Sequence, residues 1–556
     1  MVFLNLFRHE MGRAFFRLVV MASLAGISNA VILASVNAAA QTGKDGKPGL
    51  ALGMLFVISL LLFMMAGRFL VIAAVGEIEA LIHRLRVRLM DYVRHSELLG
   101  LEEIGRARIY AAVVGQTDAL RQATTSLAFT MQGAILVIVV AIYIAWMSLA
   151  AFALSVLVIG LATAIYFVKS RQLAGDLQTA AEWQNRLFGR LTDLLDGFKE
   201  VRLNAPRSDD LYDDIVEVSR NASNTNIRTQ AETFKRLVSS QSSMYVLLGA
   251  VVFLAPIFSS VADGSIAKIT TAVLFVIGAC FGLVQAVPVM QAASAAAADF
   301  EKLESQLRGL AAEETGFVEQ KSSFDAIEIR GMLFHYLDRK FETPFQIGPL
   351  DFSLHKGELV YITGGNGSGK STFLKVLAGL YAPDAGEIKL DGKPITNETR
   401  NVYRSLFSAI FFDYHLFQRL YGVPEPDPAE VERELARFKL TGKTELVDGE
   451  FRTLHLSTGQ RKRLALIVSL LEKRQILLLD EWAADQDPEY RRKFYYELLP
   501  ELHRAGVTVV LVTHDDRYLE QIEPIGRRLR MEDGRFVDEH AGAERTMVAG
   551  WFHAGL

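Results

Sequence analysis

Six long apolar runs occupy the first three hundred residues and limit what this chain can fold into. A helix that crosses the hydrocarbon core of a bilayer needs about 20 predominantly apolar residues. Runs that meet this requirement lie at about 17–38, 50–75, 124–147, 149–168, 243–262 and 269–291. The chain as a whole is 51% hydrophobic, which is high for a wholly soluble protein. The sequence therefore predicts an all-α membrane domain of six spanning helices.

Basic residues divide the segments between these runs into two groups. The N-terminus, residues 76–123 and residues 169–242 are rich in arginine and lysine, whereas the links at 39–49 and 263–268 carry only three lysines. Excess positive charge marks cytoplasmic segments, so both termini are predicted to be cytoplasmic. The two long basic segments also space their apolar residues as helices do. We expect them to continue the spanning helices as stalks, in preference to separate small domains.

Two details of the membrane half leave alternatives open. The first apolar run ends in "NAAAQ", which resembles a signal-peptide cleavage site, but the run is longer than such peptides usually have. Arg68 lies in the second run, where a charge either faces a cavity or reaches the interface. The sequence favours a spanning helix over a signal peptide for the first run, and it leaves the position of Arg68 undecided.

Charge and cysteine content exclude some functions. The formal net charge is −4, which gives no reason to expect a nucleic-acid partner. The single cysteine, Cys280, cannot form an internal disulfide or build a cysteine metal site. It stands within an apolar run, which favours a buried packing role.

A phosphate-binding loop opens the second half. Leu359–Thr363 is an apolar run that predicts a strand, and "GGNGSGKST" follows it before a helical pattern. This sequence fits G-x-x-x-x-G-K-[ST], in which glycines allow backbone N–H groups to point at phosphates. Lys370 is expected to contact the β- and γ-phosphates of ATP and Ser371 to bind Mg²⁺.

A pair of acids follows a second buried strand. Ile476 to Leu479 is a continuous apolar run, the pattern of a parallel strand covered on both faces. Asp480 and Glu481 come directly after it. Downstream of a P-loop, the first acid is expected to hold Mg²⁺ through water. The second is placed to orient and deprotonate the attacking water.

Between these elements stands "LSTGQRKRLAL", which precedes an amphipathic helix. From the residues alone, Ser457 is a helix N-cap followed by a basic helix face. The segment also resembles the signature of ATP-binding cassette (ABC) proteins, usually L-S-G-G-Q. "VTHDDRY", "DQDP" and "FHYLDRK" resemble further elements of that family, in the order and at the spacing that it shows.

The resemblance implies a site residue by residue. The catalytic residues are Glu481, His514 and Lys370. Nucleotide contacts are implied for Tyr336, Gly364, Asn366, Gly367, Ser368, Gly369, Lys370, Ser371, Thr372, Ser457, Gly459, Gln460 and Asp487. Metal contacts are implied for Ser371, Asp480 and Asp413. Tyr336 is the aromatic that stacks on adenine, and the signature loop meets ATP held by a second cassette.

Two positions depart from the family pattern. Thr458 replaces the first glycine of the signature, which is costly if the backbone there needs a positive φ. Phe412 stands where a glutamine usually contacts Mg²⁺ and relays to the membrane half. Asp413 follows it and is a candidate replacement for that glutamine.

The resemblance implies a multidomain half-transporter. The predicted parts are a type I exporter-like membrane domain (1–310), a linker (311–326) and an α/β P-loop cassette (327–556). "LSTGQRKRLAL", "LDEWAADQDP" and "DGFKEVRLN" resemble bacterial exporters of cyclic, lasso, siderophore-type or other modified peptides. The expectation is a homodimer in the inner membrane that uses ATP and Mg²⁺ to export a peptide-like cargo and has no nucleic-acid partner. The alternatives are export of lipid or hydrophobic drugs, and a membrane-tethered regulatory ATPase.

Overall fold

The computed structural model describes residues 2–45, 49–254, 265–310, 323–336, 345–423, 426–521 and 526–537. Residues 255–262 of the fifth predicted span and most of the predicted linker lie outside these ranges. The described chain forms two compact units. Unit 1 contains residues 1–91 and 105–306, and unit 2 contains residues 92–104 and 307–556.

Unit 1 is built of helices, several of which are much longer than a bilayer is thick. At about 1.5 Å per residue, a helix of 46 residues is more than twice as long as the roughly 30 Å hydrocarbon core. The helices and helical turns are Val2–Met11, Arg13–Asp45, Leu50–His95, Arg106–Tyr110, Ala111–Gly115, Gln116–Met147, Leu149–Asp196, Phe198–Leu203, Ala205–Gly249, Ala250–Leu254 and Ser265–Leu310. Helices therefore extend from the predicted spans into the segments predicted to form stalks, and the position of these segments beyond the bilayer stays a prediction.

Five described helices are long and apolar enough to cross a membrane. They lie within Ala14–Ala40, Leu50–His95, Thr117–Met147, Ala205–Leu254 and Ile266–Leu310. The predicted span at 149–168 falls on the helix Leu149–Asp196, whose apolar character is described only as far as Leu161. Side chains of residues 162–178 lie outside the description. Arg68 is exposed on the second of these helices.

Unit 2 contains two larger sheets and a small one. The strands are β1 (Ala326–Tyr336), β2 (Phe345–His355), β3 (Leu359–Thr363), β4 (Ala385–Leu390), β5 (Lys393–Pro394), β6 (Phe407–Ile410), β7 (Leu446–Val447), β8 (Glu450–Phe451), β9 (Ile476–Asp480), β10 (Thr508–Val512), β11 (Arg527–Glu532) and β12 (Arg535–Val537). The predicted strand at 359–363 is found with those bounds. The strand at 476 ends one residue later than predicted.

The six-stranded sheet has the order β12-β11-β3-β10-β9-β6. Its inner strands are parallel, and every residue of β3, β9 and β10 is buried. Residues that follow the carboxyl ends of β3, β9 and β10 therefore meet at one edge of the sheet. The second sheet, β2-β1-β4-β5, is antiparallel.

Helices of unit 2 surround these sheets. They are Leu98–Ile104, Lys370–Leu377, Arg400–Arg404, Pro428–Arg437, Thr458–Leu471, Trp482–Asp485, Pro488–Lys493, Phe494–Leu498, Leu499–Arg504 and Asp516–Gln521. The helix Lys370–Leu377 follows the P-loop, and Thr458–Leu471 follows Ser457. Both positions agree with the helical patterns in the sequence.

Candidate functional site

The P-loop folds back on its own lysine. Lys370 is the first residue of its helix and is 5% exposed. Its Nζ donates hydrogen bonds to the carbonyl oxygens of Gly364, at 3.0 Å, and Gly365, at 2.8 Å. Gly364 has a φ of 139°, and a Cβ atom there would lie 2.1 Å from the carbonyl oxygen of Met531. The tight turn therefore requires glycine at this position.

The loop stands at a helix N-terminus, where backbone N–H groups and the helix dipole favour phosphate. Asn366, Gly367 and Ser371 are exposed at this end of the helix. Ser368 is buried, and its Oγ has no hydrogen-bond partner among the described residues. Burial lowers the pKa of the Lys370 ammonium, while the carboxylates of Glu481 and Asp480 act in the opposite direction.

Asp480 ends β9 beside this loop and is 1% exposed. Burial raises the pKa of its carboxyl group, whereas hydrogen bonds from the Ser371 hydroxyl and the Phe412 backbone N–H lower it. Its Oδ1 has no partner among the described atoms. An unpaired acidic oxygen next to a serine hydroxyl suits Mg²⁺, which takes few protein ligands and completes its shell with phosphate and water. The residues present therefore fit this ion.

Glu481 leaves the strand in a left-handed turn, with φ of 50° and ψ of 36°. Its backbone N–H donates to the carbonyl oxygen of Val512 on the next strand, at 3.0 Å. Its Oε1 lies 3.0 Å from Nε2 of His514, which follows that strand. A carboxylate and an imidazole in contact, next to a phosphate loop, can orient a water molecule and accept its proton.

The signature segment begins with a capping box. The Ser457 Oγ accepts from the Gln460 backbone N–H at 3.4 Å, and the Gln460 Oε1 accepts from the Ser457 N–H at 3.0 Å. Thr458 begins the helix and has no positive φ, so the expected strain does not arise here. Gly459 lies against the backbone of Asp485. A Cβ atom added at Gly459 would be 2.7 Å from the Asp485 backbone oxygen. Ser457 and Thr458 are exposed.

Four other predicted residues lie in different surroundings in this structure. Asp487 caps the helix Pro488–Lys493, and its Oδ1 accepts from the Tyr490 N–H at 2.8 Å. Tyr336 ends β1 and packs partly buried against the core of unit 2. Asp413 is exposed in the loop after Phe412. Thr372 is partly buried in the helix that Lys370 begins.

Lys462 was interpreted as part of a basic helix face, but it is 2% exposed. Its Nζ donates to the carbonyl oxygen of Glu481 at 2.8 Å and lies 2.7 Å from Oδ2 of Asp485. The interpretation was wrong for this residue, because partners distant in sequence satisfy its charge.

Arg491 links the loop after Glu481 to the histidine loop. It donates to the carbonyl oxygens of Ala483, at 3.2 Å, and Ala484, at 2.8 Å. It also pairs with Asp515, the residue after His514, at 3.3 Å. From the sequence, Arg491 shows only its basic character, which does not predict this link.

A segment from the first long basic stretch also lies in unit 2. The Tyr381 hydroxyl donates to Oε2 of Glu102 at 2.6 Å, and the Lys375 Nζ lies 3.4 Å from its Oε1. Arg400 pairs with Glu97 at 2.9 Å. Burial and the bond to Glu102 raise the pKa of the Tyr381 phenol, and Asp413 adds to this rise.

Comparisons with known proteins agree with this geometry. A family model described as "ABC transporter" matches residues 347–484. The chain is 39% identical over 310 residues to "ATP-binding protein SyrD" of Pseudomonas syringae pv. syringae, covering 54% of each protein. The chain thus matches about half the length of that relative.

Further similarities are found for parts of the chain and for its fold. It is 31% identical over 228 residues to "Nod factor export ATP-binding protein I" of Burkholderia thailandensis, covering 39% of this chain and 71% of that protein. It is 32% identical over 219 residues to the "Probable syringafactin export ATP-binding/permease protein SyfD" of Pseudomonas syringae pv. syringae, covering 36% of this chain and 32% of that protein. A solved bacterial Atm1-family ABC exporter with ATP bound superposes with a TM-score of 0.78 at 16% identity, covering 98% of this chain and all of that one.

Proposed function

We propose that this chain, which belongs to the ATP-binding cassette transporter family, is a homodimeric half-transporter that exports a peptide or peptide-like product. The fold is that of an exporter, and its apolar helices make it a membrane protein with a cytoplasmic cassette. Hydrolysis of ATP with Mg²⁺ in the cassette, residues 327–556, drives export through the membrane domain, residues 1–310. The proposed membrane is the bacterial inner membrane.

The extent of the match to the Pseudomonas protein is one observation that supports an exporter. The matched region covers 54% of the chain. This region is longer than the predicted cassette, residues 327–556. The similarity therefore extends into the membrane unit, where cargo is recognised. A second relative from the same species is named for syringafactin export. These two relatives support an export function, and the observation that carries the peptide-like cargo is the resemblance of the three sequence segments to peptide exporters.

Two exposed surfaces support a homodimer. Ser457 and Thr458 are exposed at the signature turn, so this turn is accessible to a second cassette. In the cytoplasmic stretch 169–242, large apolar side chains are also exposed. They include Phe188, Leu195, Phe198 and Leu203, which are between 54% and 88% exposed. Exposed apolar patches outside the membrane mark interaction surfaces.

The proposed hydrolysis divides the work between named side chains. Lys370 and the P-loop N–H groups bind the phosphates, and Ser371 and Asp480 hold Mg²⁺, which neutralises developing charge on the phosphoryl oxygens. Glu481 orients the attacking water and accepts its proton. His514, at 3.0 Å from Glu481, fixes that carboxylate and reaches the γ-phosphate. Tyr336 stacks on adenine, and Ser457, Gly459 and Gln460 meet the nucleotide of the partner.

The segment Tyr92–Ile104 is proposed to transmit cassette movement. It directly follows residue 91 of the long helix Leu50–His95, and its residues Glu97 and Glu102 make polar contacts within unit 2. Leu98 and Leu99 pack against the core that contains β3. Binding energy at the cassette can thus shift an equilibrium between inward-open and outward-open forms.

Transport into inverted membrane vesicles tests the cargo class. Peptide-like metabolites retained by a strain that lacks this chain are expected to stimulate ATP hydrolysis and to accumulate inside wild-type vesicles. Vesicles with Glu481→Gln serve as the control. Stimulation by lipids or hydrophobic dyes alone would instead favour the second exporter class, and absence of any transported cargo would favour a regulatory ATPase.

Glu102→Ala is expected to separate hydrolysis from transport. The change removes the acceptor of the Tyr381 hydroxyl and the partner of Lys375. ATP hydrolysis without cargo should stay within about twofold of wild type, because no phosphate contact is altered, while cargo transport per ATP should fall about fivefold or more. Both rates are measured in the same vesicles. Glu103→Ala, also exposed in this segment, is the control. Equal transport by Glu102→Ala and wild type would contradict this role.

Asp413→Ala tests the proposed replacement of the missing glutamine. Asp413 follows Phe412, whose backbone N–H donates to Asp480. If its carboxylate assists the ion, the Mg²⁺ concentration for half-maximal ATP hydrolysis should rise about three- to tenfold. A Mg²⁺ titration of hydrolysis measures this. Asp427→Ala, a helix cap distant in sequence, is the control, and an unchanged titration for Asp413→Ala would remove this residue from the metal site.

A further inference from the structure

Lys462 is a buried cation that the proposed reaction does not use. It projects from the signature helix Thr458–Leu471, and only 2% of its surface is exposed. Its ammonium contacts the Glu481 carbonyl oxygen at 2.8 Å and the Asp485 carboxylate at 2.7 Å. It also lies 5.8 Å from the centre of the Phe412 ring. This side chain therefore connects the signature helix to the segment that follows β9 and to the loop at Phe412.

A buried lysine is costly, and an apolar side chain of similar size often stabilises a fold equally well. The position of these contacts points to a role in orientation. The Glu481 backbone has a positive φ of 50°, which is uncommon for a residue other than glycine. Its N–H is fixed by Val512, and its carbonyl oxygen is fixed by Lys462. Both ends of this turn are thus held, and the side chain leaves it toward His514.

The same lysine reaches the signature turn by a second route. Its partner Asp485 also contacts the signature turn, because Gly459 packs against the Asp485 backbone oxygen. A Cβ atom added at Gly459 would lie 2.7 Å from that oxygen. The indole Nε1 of Trp482, the residue after Glu481, donates to the Lys462 carbonyl oxygen at 2.8 Å. Side chain and backbone of Lys462 therefore both hold the segment that follows β9.

We propose that Lys462 is a positioning residue for ATP hydrolysis, which holds the Glu481 turn so that its carboxylate meets the attacking water. This rests on the proposed hydrolysis at Glu481. The lysine does not contact nucleotide itself. It acts through the Glu481 carbonyl oxygen and through Asp485, and it connects the catalytic turn to the signature turn of the same cassette.

Lys462→Met tests the proposal in the full-length protein. Methionine keeps much of the length and removes the charge and the donor. We expect kcat for ATP hydrolysis to fall at least tenfold, while the KM for ATP and the Tm stay near wild type. Lys473→Met is the matched control: Lys473 follows the same helix, is exposed, and pairs only at the surface with Glu430 at 3.0 Å. If Lys462 had only a structural role, the substitution would lower Tm and would not reduce kcat at an unchanged KM.

Asp485→Asn is the second variant, in case Lys462→Met does not fold. Asp485 is 40% exposed, so asparagine can occupy its place without becoming a new buried polar group. It removes the ion pair, offers an amide oxygen to the Lys462 ammonium and keeps the bond to Glu481, and kcat should fall about two- to fivefold. Wild-type kcat in a folded Lys462→Met protein would overturn the proposal, as would wild-type kcat in Asp485→Asn if the first variant is unfolded. An active Glu481→Gln variant would instead overturn the base assignment.

Discussion

Glu481→Gln is expected to bind ATP with near wild-type affinity and to hydrolyse it at least a hundredfold more slowly. Glutamine has the size of glutamate and can keep the 3.0 Å contact with His514. It cannot accept a proton, and a positioned general base typically contributes a factor of about 10² to 10⁴. Phosphate release measures turnover, and titration with a fluorescent ATP analogue measures affinity.

The nucleotide that stays bound gives an independent readout. If closure of two cassettes precedes hydrolysis, the Glu481→Gln dimer should retain unhydrolysed ATP after free nucleotide is removed, whereas wild type should retain ADP or nothing. Glu489→Gln is the control, since Glu489 lies eight residues later and pairs at the surface with Lys439. Hydrolysis by Glu481→Gln at the wild-type rate would show that another group is the base.

Local patterns predicted the elements that carry the site. The strand Leu359–Thr363 was predicted with its observed bounds, because a short apolar run before a glycine-rich loop has few other conformations. The second strand was predicted to end at Leu479, but it also includes Asp480, whose acidic side chain is buried. Apolar patterning could not show this, because the partners of Asp480 come from distant segments.

Lys462 shows the same limit more sharply. A lysine between two arginines on a helix predicts a solvated face, and this is the usual outcome. Here the fold brings Glu481 and Asp485 to its ammonium, so the charge is buried. The spacing of 19 residues between Lys462 and Glu481 carries no local signal. Only the tertiary structure shows the contact.

The segment that reaches the cassette core was not located from sequence, because the basic stretch 76–123 was predicted as a stalk without internal boundaries. In the structure the long helix ends at His95, and Glu97 and Glu102, which follow it, pair with residues of unit 2, to which they belong. Apolar periodicity predicts that a segment is helical, but it does not predict these tertiary contacts.

Thr458 illustrates how a departure from a family pattern is absorbed. The concern was that a β-branched residue would need a positive φ. In this structure Thr458 is the first helical residue, and Ser457 caps the helix ahead of it. The glycine that cannot be replaced without a clash is Gly459, which packs on the backbone of Asp485. The steric requirement for glycine therefore lies one residue later.

Lys370→Met is expected to weaken ATP binding about ten- to a hundredfold and to abolish turnover. The change removes a charged donor from the phosphates, and hydrogen bonds to charged groups contribute about 1.5–3 kcal/mol. It also removes the two bonds to the Gly364 and Gly365 carbonyl oxygens that hold the loop. The loss of binding could thus come from the missing contact or from a loosened loop.

Thermal unfolding separates these two causes. ATP that binds only the folded state raises Tm, and the increase grows with the logarithm of the ratio of ATP concentration to Kd. If the contact is what matters, the Tm of Lys370→Met without ATP should equal that of wild type, and only the increase caused by ATP should be lost. If the loop is loosened, Tm should already be lower without ATP. Lys356→Met, at an exposed lysine between β2 and β3, is the control. An ATP-induced increase equal to that of wild type in Lys370→Met would contradict the phosphate assignment.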